Sequence, residues 1–152
     1  MKISFHLNWI ESAAASPKDF KLPGTRSLFF DYLDRIKNFS TLQACGKPKA
    51  PQIHQPATVL WLCNRSKNAR MFSSEDLTAH LEKLQNGGIR SWHIVIGGPD
   101  GFSKKDVDTL QPAVEWSFGP MTYPHELAAV IAAEQVYRAW AIIKNLPYHA
   151  GH

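Results

Sequence analysis

Cysteine is scarce in this chain, and what there is has no pattern. Only Cys45 and Cys63 occur, with no C-x-x-C pair, and histidines such as His54, His80 and His93 lack metal-ligand spacing. A zinc site is therefore not expected. No apolar run reaches the roughly 18 residues of a membrane-spanning helix. The strand-like opening KISFHLNW lacks an apolar stretch followed by a small-residue cleavage site, so a secretory signal is not expected either. An intracellular setting follows, with a bacterial-type cytoplasm as the default and an organelle left open. Neither a G-x-G-x-x-G fingerprint nor a P-loop is present. No Ser/His/Asp signature and no paired carboxylates of a glycosidase can be picked out. Acidic excess is missing as well. Lys and Arg number 17 against 13 Asp and Glu, for a net charge of +4, a mildly basic balance compatible with an RNA partner.

What is present is an ordinary globular composition, 44% apolar over 152 residues, which suits a single domain over residues 1–152. Strands and helices alternate. Residues 2–7 read as a strand, 26–38 as a helix with Phe29, Tyr32, Leu33 and Ile36 on one stripe. The stretch from 41 to 56, with Pro48, Pro51, Pro56, Lys47 and Lys49, reads as an irregular basic segment. ATVLWLC at 57–63 is a continuous apolar run, as in a strand covered on both faces. Ser73 with Asp76, and Ser103 with Asp106, are spaced as capping boxes. Between those two helices, 91–96 is another buried strand, running into GGPDG, and 114–118 is a last strand. The order β-α-β-α-β-α-β-α predicts a mostly parallel sheet with helices on both faces.

Residues 116–149 organise the rest. Pro124 stands where a helix can begin, residues 125–144 contain no Gly or Pro, and Pro147 stops the run. This helix has no polar face. Val130, Val136, Tyr137, Trp140 and Ile143 lie on one arc, and Leu127, Ile131 and Ile142 on another that also holds Glu134 and Arg138, four residues apart and able to pair. A helix apolar on both sides is covered on both sides, so one side is expected to pack on the sheet and the other on a second copy of the chain.

Ligands of open α/β sheets gather beyond the carboxyl ends of strands. Three loops leave those ends, after Leu62, after Ile96 and after Ser117. The glycines of GGPDG let backbone approach a ligand. The loop Phe118-Gly119-Pro120-Met121-Thr122-Tyr123 could line a pocket for a flat, partly apolar ligand such as an adenosine, or be a plain connection. His125 reads as a cap or packing residue. Tyr148 and His149 could place a phenol and an imidazole over a site.

Taken together, VIGGPDG at 95–101, SF and MTYPH at 117–118 and 121–125, EQVYRAW at 134–140 and PYH at 147–149 resemble the RlmH family of small SPOUT-class methyltransferases, most densely from Val59 onward. The resemblance implies a SPOUT fold with a C-terminal trefoil knot, a homodimer packed through the knot region, and methyl transfer from S-adenosylmethionine to N3 of a pseudouridine in large-subunit ribosomal RNA. It places cofactor contacts on Leu62, Gly97, Phe118, Gly119, Pro120, Met121, Thr122 and Tyr123. His149 and Tyr148 become candidates for handling the N3 proton, and Arg138 for holding a phosphate or a uracil oxygen. The loops carrying Lys47, Lys49, Arg65, Lys67 and Arg70 would meet the ribosome. Departures fall outside the cofactor run. Cys63-Asn64-Arg65-Ser66-Lys67 stands where the family commonly has an acidic residue and a Gly-Lys pair, and the first strand runs into Asn8-Trp9 instead of a Gly-Lys loop. They leave a second reading, an inactive SPOUT-like assembly or RNA-binding factor.

Overall fold

The computed structural model describes residues 1–149. Six parallel strands form one sheet in the order β2-β1-β5-β3-β6-β4. They are β1 (Lys2–Leu7), β2 (Thr41–Cys45), β3 (Thr58–Cys63), β4 (Arg70–Met71), β5 (Ser91–Ile96) and β6 (Val114–Ser117). The helices are α1 (Pro23–Ile36), the single turn α2 (Ala50–Ile53), α3 (Ser74–Asn86), α4 (Lys104–Leu110) and α5 (His125–Ile143). The expected class holds, but two of the six strands were not expected: Thr41–Cys45, and Arg70–Met71, which lies at the end of what reads as a polar loop and pairs with β6. Thr41–Cys45 is a strand, not part of an irregular segment. Its short, weakly alternating sequence becomes a strand because β1 offers a free edge, with Lys2 opposite Thr41 and His6 opposite Cys45. Irregularity begins only after it.

Period-two alternation sorts the side chains onto two faces. Ile3, Phe5 and Leu7 of β1, Trp61 of β3, Trp92, Ile94 and Ile96 of β5 and Trp116 of β6 join one buried cluster with Phe29 and Leu33 of α1, Leu77 and Leu81 of α3, and Val136 and Trp140 of α5. Trp61 is the hub of the aromatic packing, edge-on to Trp92 and Trp116 at ring separations of 5.1 and 5.7 Å. On the opposite face Leu60, Leu62 and Val95 meet Ile53 of α2 and Val107 and Leu110 of α4.

Toward β1 that second face turns polar yet stays buried. His6 is 1% and His93 5% exposed. His6 Nδ1 faces the Gly46 carbonyl at 3.2 Å, and a carbonyl only accepts, so His6 carries its proton on Nδ1. Its Nε2 then accepts from His93 Nδ1 at 2.7 Å. Burial, reinforced by His93, pushes the His6 imidazole down to about 4.

β6 is inserted between β3 and β4, so the 64–69 loop that links those two strands bridges the end of β6. The Asn64 N–H donates to the Trp116 carbonyl at 3.0 Å and fixes that bridge. The chain leaving β6 has to pass it, a strand order consistent with the expected knot. α5 lies between α1 and α3. None of its residues is fully exposed, and the arc carrying Leu127, Ile131, Glu134, Arg138 and Ile142 is half-buried. No helix among the described residues is long and apolar enough to cross a membrane.

Candidate active site

The carboxyl ends of β3, β5 and β6 stop together, at Cys63, Ile96 and Ser117. Beyond them opens a cleft of about 420 Å³, lined by Asn64, Arg65, the 97–101 loop, Phe102, Trp116, Phe118, Met121, Thr122, Tyr123, His125 and Ala128 among others. That volume lies within the range of small-molecule sites, on the order of 300–1,000 Å³.

GGPDG forms one wall. It closes on itself, with Gly101 donating to the Gly98 carbonyl at 3.0 Å. Gly97 is tightly placed, since a Cβ there would lie 3.0 Å from Cε2 of Phe102 and the ring would have to shift. A Cβ on Gly98 would lie 3.3 Å from that of Trp9. Trp9 is itself held by an indole N–H bond to the Asp19 carbonyl and an edge-on contact with His125 at 4.6 Å. The 118–123 loop forms the facing wall. Gly119 adopts φ +113°, a backbone that side-chain-bearing residues rarely adopt, and its N–H returns to the Ser117 hydroxyl at 3.1 Å. Arg65 reaches across from the 64–69 loop and donates to the Pro120 carbonyl.

Of the residues expected to hold the cofactor, Gly97, Phe118, Met121, Thr122 and Tyr123 line the cleft. Leu62, Gly119 and Pro120 do not. Strand alternation turns the Leu62 side chain to the opposite face, fully buried beside Leu60 and Val95. Gly119 shapes the loop through its φ of +113°, and Pro120 offers its carbonyl to Arg65. Phe102, Trp116, Asn64 and Asp100 were not singled out from the sequence. Asn64 and Asp100 lie in two of the strand-end loops, Phe102 follows GGPDG directly, and Trp116 reads locally as core. His125 is a packing residue, as expected, and also borders the cleft.

Arg138, Tyr148 and His149 come together, at the far end of α5. Arg138 Nε and Nη2 both reach Glu134 Oε1, at 2.9 and 2.6 Å, which is the expected pair. Tyr148 donates to the same oxygen at 3.1 Å and meets the Tyr32 hydroxyl, also at 3.1 Å. Arg138 Nη1 lies 3.0 Å from His149 Nδ1. A guanidinium only donates, so Nδ1 accepts and Nε2 carries the proton, which goes to Glu75 at 2.9 Å. Burial, Tyr32 and Glu134 raise the Tyr148 phenol well above its ordinary range, so it stays protonated. Burial works against the Arg138 charge, but Glu134 outweighs it and holds the guanidinium more firmly protonated. Glu75 carried no signal in the sequence, Tyr32 read only as part of an apolar stripe, and Glu134 stood out by its spacing to Arg138 and by its place in EQVYRAW.

The cluster and the cleft are apart within one subunit. Ala128 borders the cleft and Arg138 follows ten residues later on α5, about 15 Å along the axis at 1.5 Å per residue. Among the described residues no group of three or more His, Cys, Asp or Glu is placed to hold a metal ion.

A family model described as "Predicted SPOUT methyltransferase" matches residues 21–149. The ribosomal RNA large subunit methyltransferase H of Magnetococcus marinus is 32% identical over 145 residues, covering 82% of this chain and 89% of that protein. The protein of the same name from Deinococcus deserti is 33% identical over 137 residues, covering 85% and 92%. A Legionella pneumophila protein solved with SAM bound aligns with a TM-score of 0.46 and 12% identity over 91% of this chain and 66% of that one, a likeness too slight to build on. The family match and the full-length relatives agree with the parallel sheet and the loop cleft: the chain belongs to the SPOUT methyltransferases, in the RlmH group, and is an S-adenosylmethionine-dependent enzyme.

Proposed function

We propose that this enzyme methylates N3 of a pseudouridine in large-subunit ribosomal RNA, working as a homodimer with S-adenosylmethionine held in the cleft beyond β3, β5 and β6. The observation that carries the reading is that the 97–101 and 118–123 loops face each other across one cleft. The lining suits the cofactor. Phe102, Trp116, Phe118 and Tyr123 offer apolar walls to a flat purine, and Arg65 and Asp100 offer opposite charges to an amino-acid end. When bound, S-adenosylmethionine supplies a methyl group already activated by its sulfonium.

The protein's work is then placement and proton handling. The aromatic walls exclude water. Tyr148, held as a phenol, serves as a donor toward a uracil oxygen rather than as a base. His149 is the acceptor for the N3 proton, through Nδ1, once the arriving RNA draws Arg138 away from it. The separation along α5 supports a dimer. A second copy packed on the half-buried arc of Leu127, Ile131 and Ile142 would bring its own Arg138 cluster toward the first copy's cleft. Lys47, Lys49 and Lys67, on loops, and Arg70, at the start of β4, are the groups proposed to grip RNA phosphates. Incubating the purified protein with ribosomal large subunits and labelled cofactor, then mapping the modified nucleotide, tests the reading. Label on N3 of a pseudouridine sustains it; cofactor binding without transfer to ribosomes overturns it. A monomer in solution under assay conditions removes the dimer.

A further inference from the structure

Arg65 departs from the other basic residues of its segment. Lys67 and Arg70 belong to the 64–69 bridge and to β4, whereas Arg65 borders the cleft itself and bonds the carbonyl of Pro120 on the facing loop. That single bond leaves the rest of its donor fork unused, and among the described residues no carboxylate lies within ion-pair distance of it. Among the described residues lining the cleft, Arg65 is the one Lys or Arg and Asp100 the one Asp or Glu.

Building on the cofactor reading above, we propose that Arg65 is the specificity residue for the carboxylate of the cofactor's amino-acid end. A planar guanidinium with free parallel N–H groups matches a carboxylate in a two-bond fork. The 64–69 bridge delivers it. The Asn64 side chain is fixed by Glu115 Oε1 at 2.9 Å, and the Asn64 backbone by Trp116, so the residue next to it starts from an anchored point at the cleft mouth. Phosphate gripping is the competing role for any arginine on a ribosome-facing loop, but it would not affect cofactor affinity in protein alone.

The experiment is calorimetric titration of wild type, Arg65→Ala and Arg65→Lys with S-adenosylmethionine and, separately, with 5′-methylthioadenosine, which keeps the adenosine and lacks the amino-acid end. Arg65→Ala should weaken S-adenosylmethionine roughly tenfold or more and leave 5′-methylthioadenosine within about twofold, because one charge-assisted fork is lost in the first case only. Arg65→Lys, which keeps the charge without the fork, should fall between. Equal loss for both ligands would overturn the proposal, since Arg65 would then act only by holding the 118–123 loop. No loss for either would overturn it too, returning Arg65 to the RNA-facing group. Wild type binding neither ligand would instead sink the cofactor reading, a result distinct from both. Unchanged thermal midpoints of the variants exclude misfolding as the cause.

Discussion

The buried His6–His93 pair makes stability depend on pH in a way that can be isolated. In the folded chain His6 titrates near 4, against about 6.5 when unfolded. The folded state therefore binds fewer protons than the unfolded state between those values. Its contribution is fully present above pH 6.5 and is lost as pH falls toward 4. Integrating the linkage relation for this one group gives a loss of about 2 kcal/mol between pH 7.5 and pH 5, and about 3 kcal/mol by pH 4. The geometry says why the proton is refused. Burial is the larger cause, and the His93 ring 2.7 Å from Nε2 adds to it, since a proton on Nε2 breaks that hydrogen bond unless His93 moves its own proton to its Nε2. Replacing His6 by Gln removes the titration. Urea unfolding at one fixed protein concentration, from pH 5 to 7.5, would compare the two proteins; staying at pH 5 and above limits interference from carboxylates. The difference between the curves should shrink by about 2 kcal/mol as pH falls. Parallel curves would refute the argument, because His6 would then titrate alike folded and unfolded.

Three other outcomes are expected. Gly97→Trp should abolish calorimetric binding of S-adenosylmethionine while the protein stays folded, because even a Cβ there comes to 3.0 Å of Phe102; retained binding would move the cofactor elsewhere. His149→Ala should cut methyl transfer to ribosomes by about 10²-fold or more, the scale of a lost proton acceptor, with cofactor affinity unchanged, and transfer at full rate would remove His149 from the mechanism. Glu126→Ala should cost about 2 kcal/mol in urea unfolding at neutral pH. That carboxylate, 4% exposed, takes the N–H groups of Lys21 and Leu22 and the Thr25 hydroxyl at 3.0–3.2 Å, and an unchanged midpoint would mean that water replaces it freely. Burial alone would raise Glu126, but those donors prevail and lower it, so its contribution is present at neutral pH and fades as acid protonates it.

Local pattern was enough for much of this protein. Apolar runs bounded by turn residues marked β3 and β5, because a strand covered on both faces shows no alternation. Ser103 and Asp106 announced the start of α4, and there the two reciprocal bonds close at 2.9 and 3.1 Å. At Ser73 only half of that box forms, with Asp76 N–H on the serine oxygen. The unbroken, apolar-all-round stretch at 125–143 gave α5 and the i,i+4 pairing of Glu134 with Arg138, both consequences of helical geometry alone. The cofactor loops stood out by motif and by their place after strands, and most of their residues do line the cleft.

The tertiary structure decided what depends on partners far away in sequence. Thr41–Cys45 is a strand because β1 pairs with it. Glu126, 104 residues beyond Leu22, ties α5 to the start of α1, whose first turn has no side-chain cap of its own. Arg65 entered the cleft because β6 slots between β3 and β4 and the 64–69 loop must bridge its end, and Leu62 turned away because the helices packed on each face decide which alternate residues of β3 point where. The Arg138 cluster gathered at the opposite end of α5 from the cleft, a separation the contiguous motifs hid. Periodicity tells a residue which side is apolar; strand order and chain crossing set its neighbours, and those come from pairings that no local window of sequence contains.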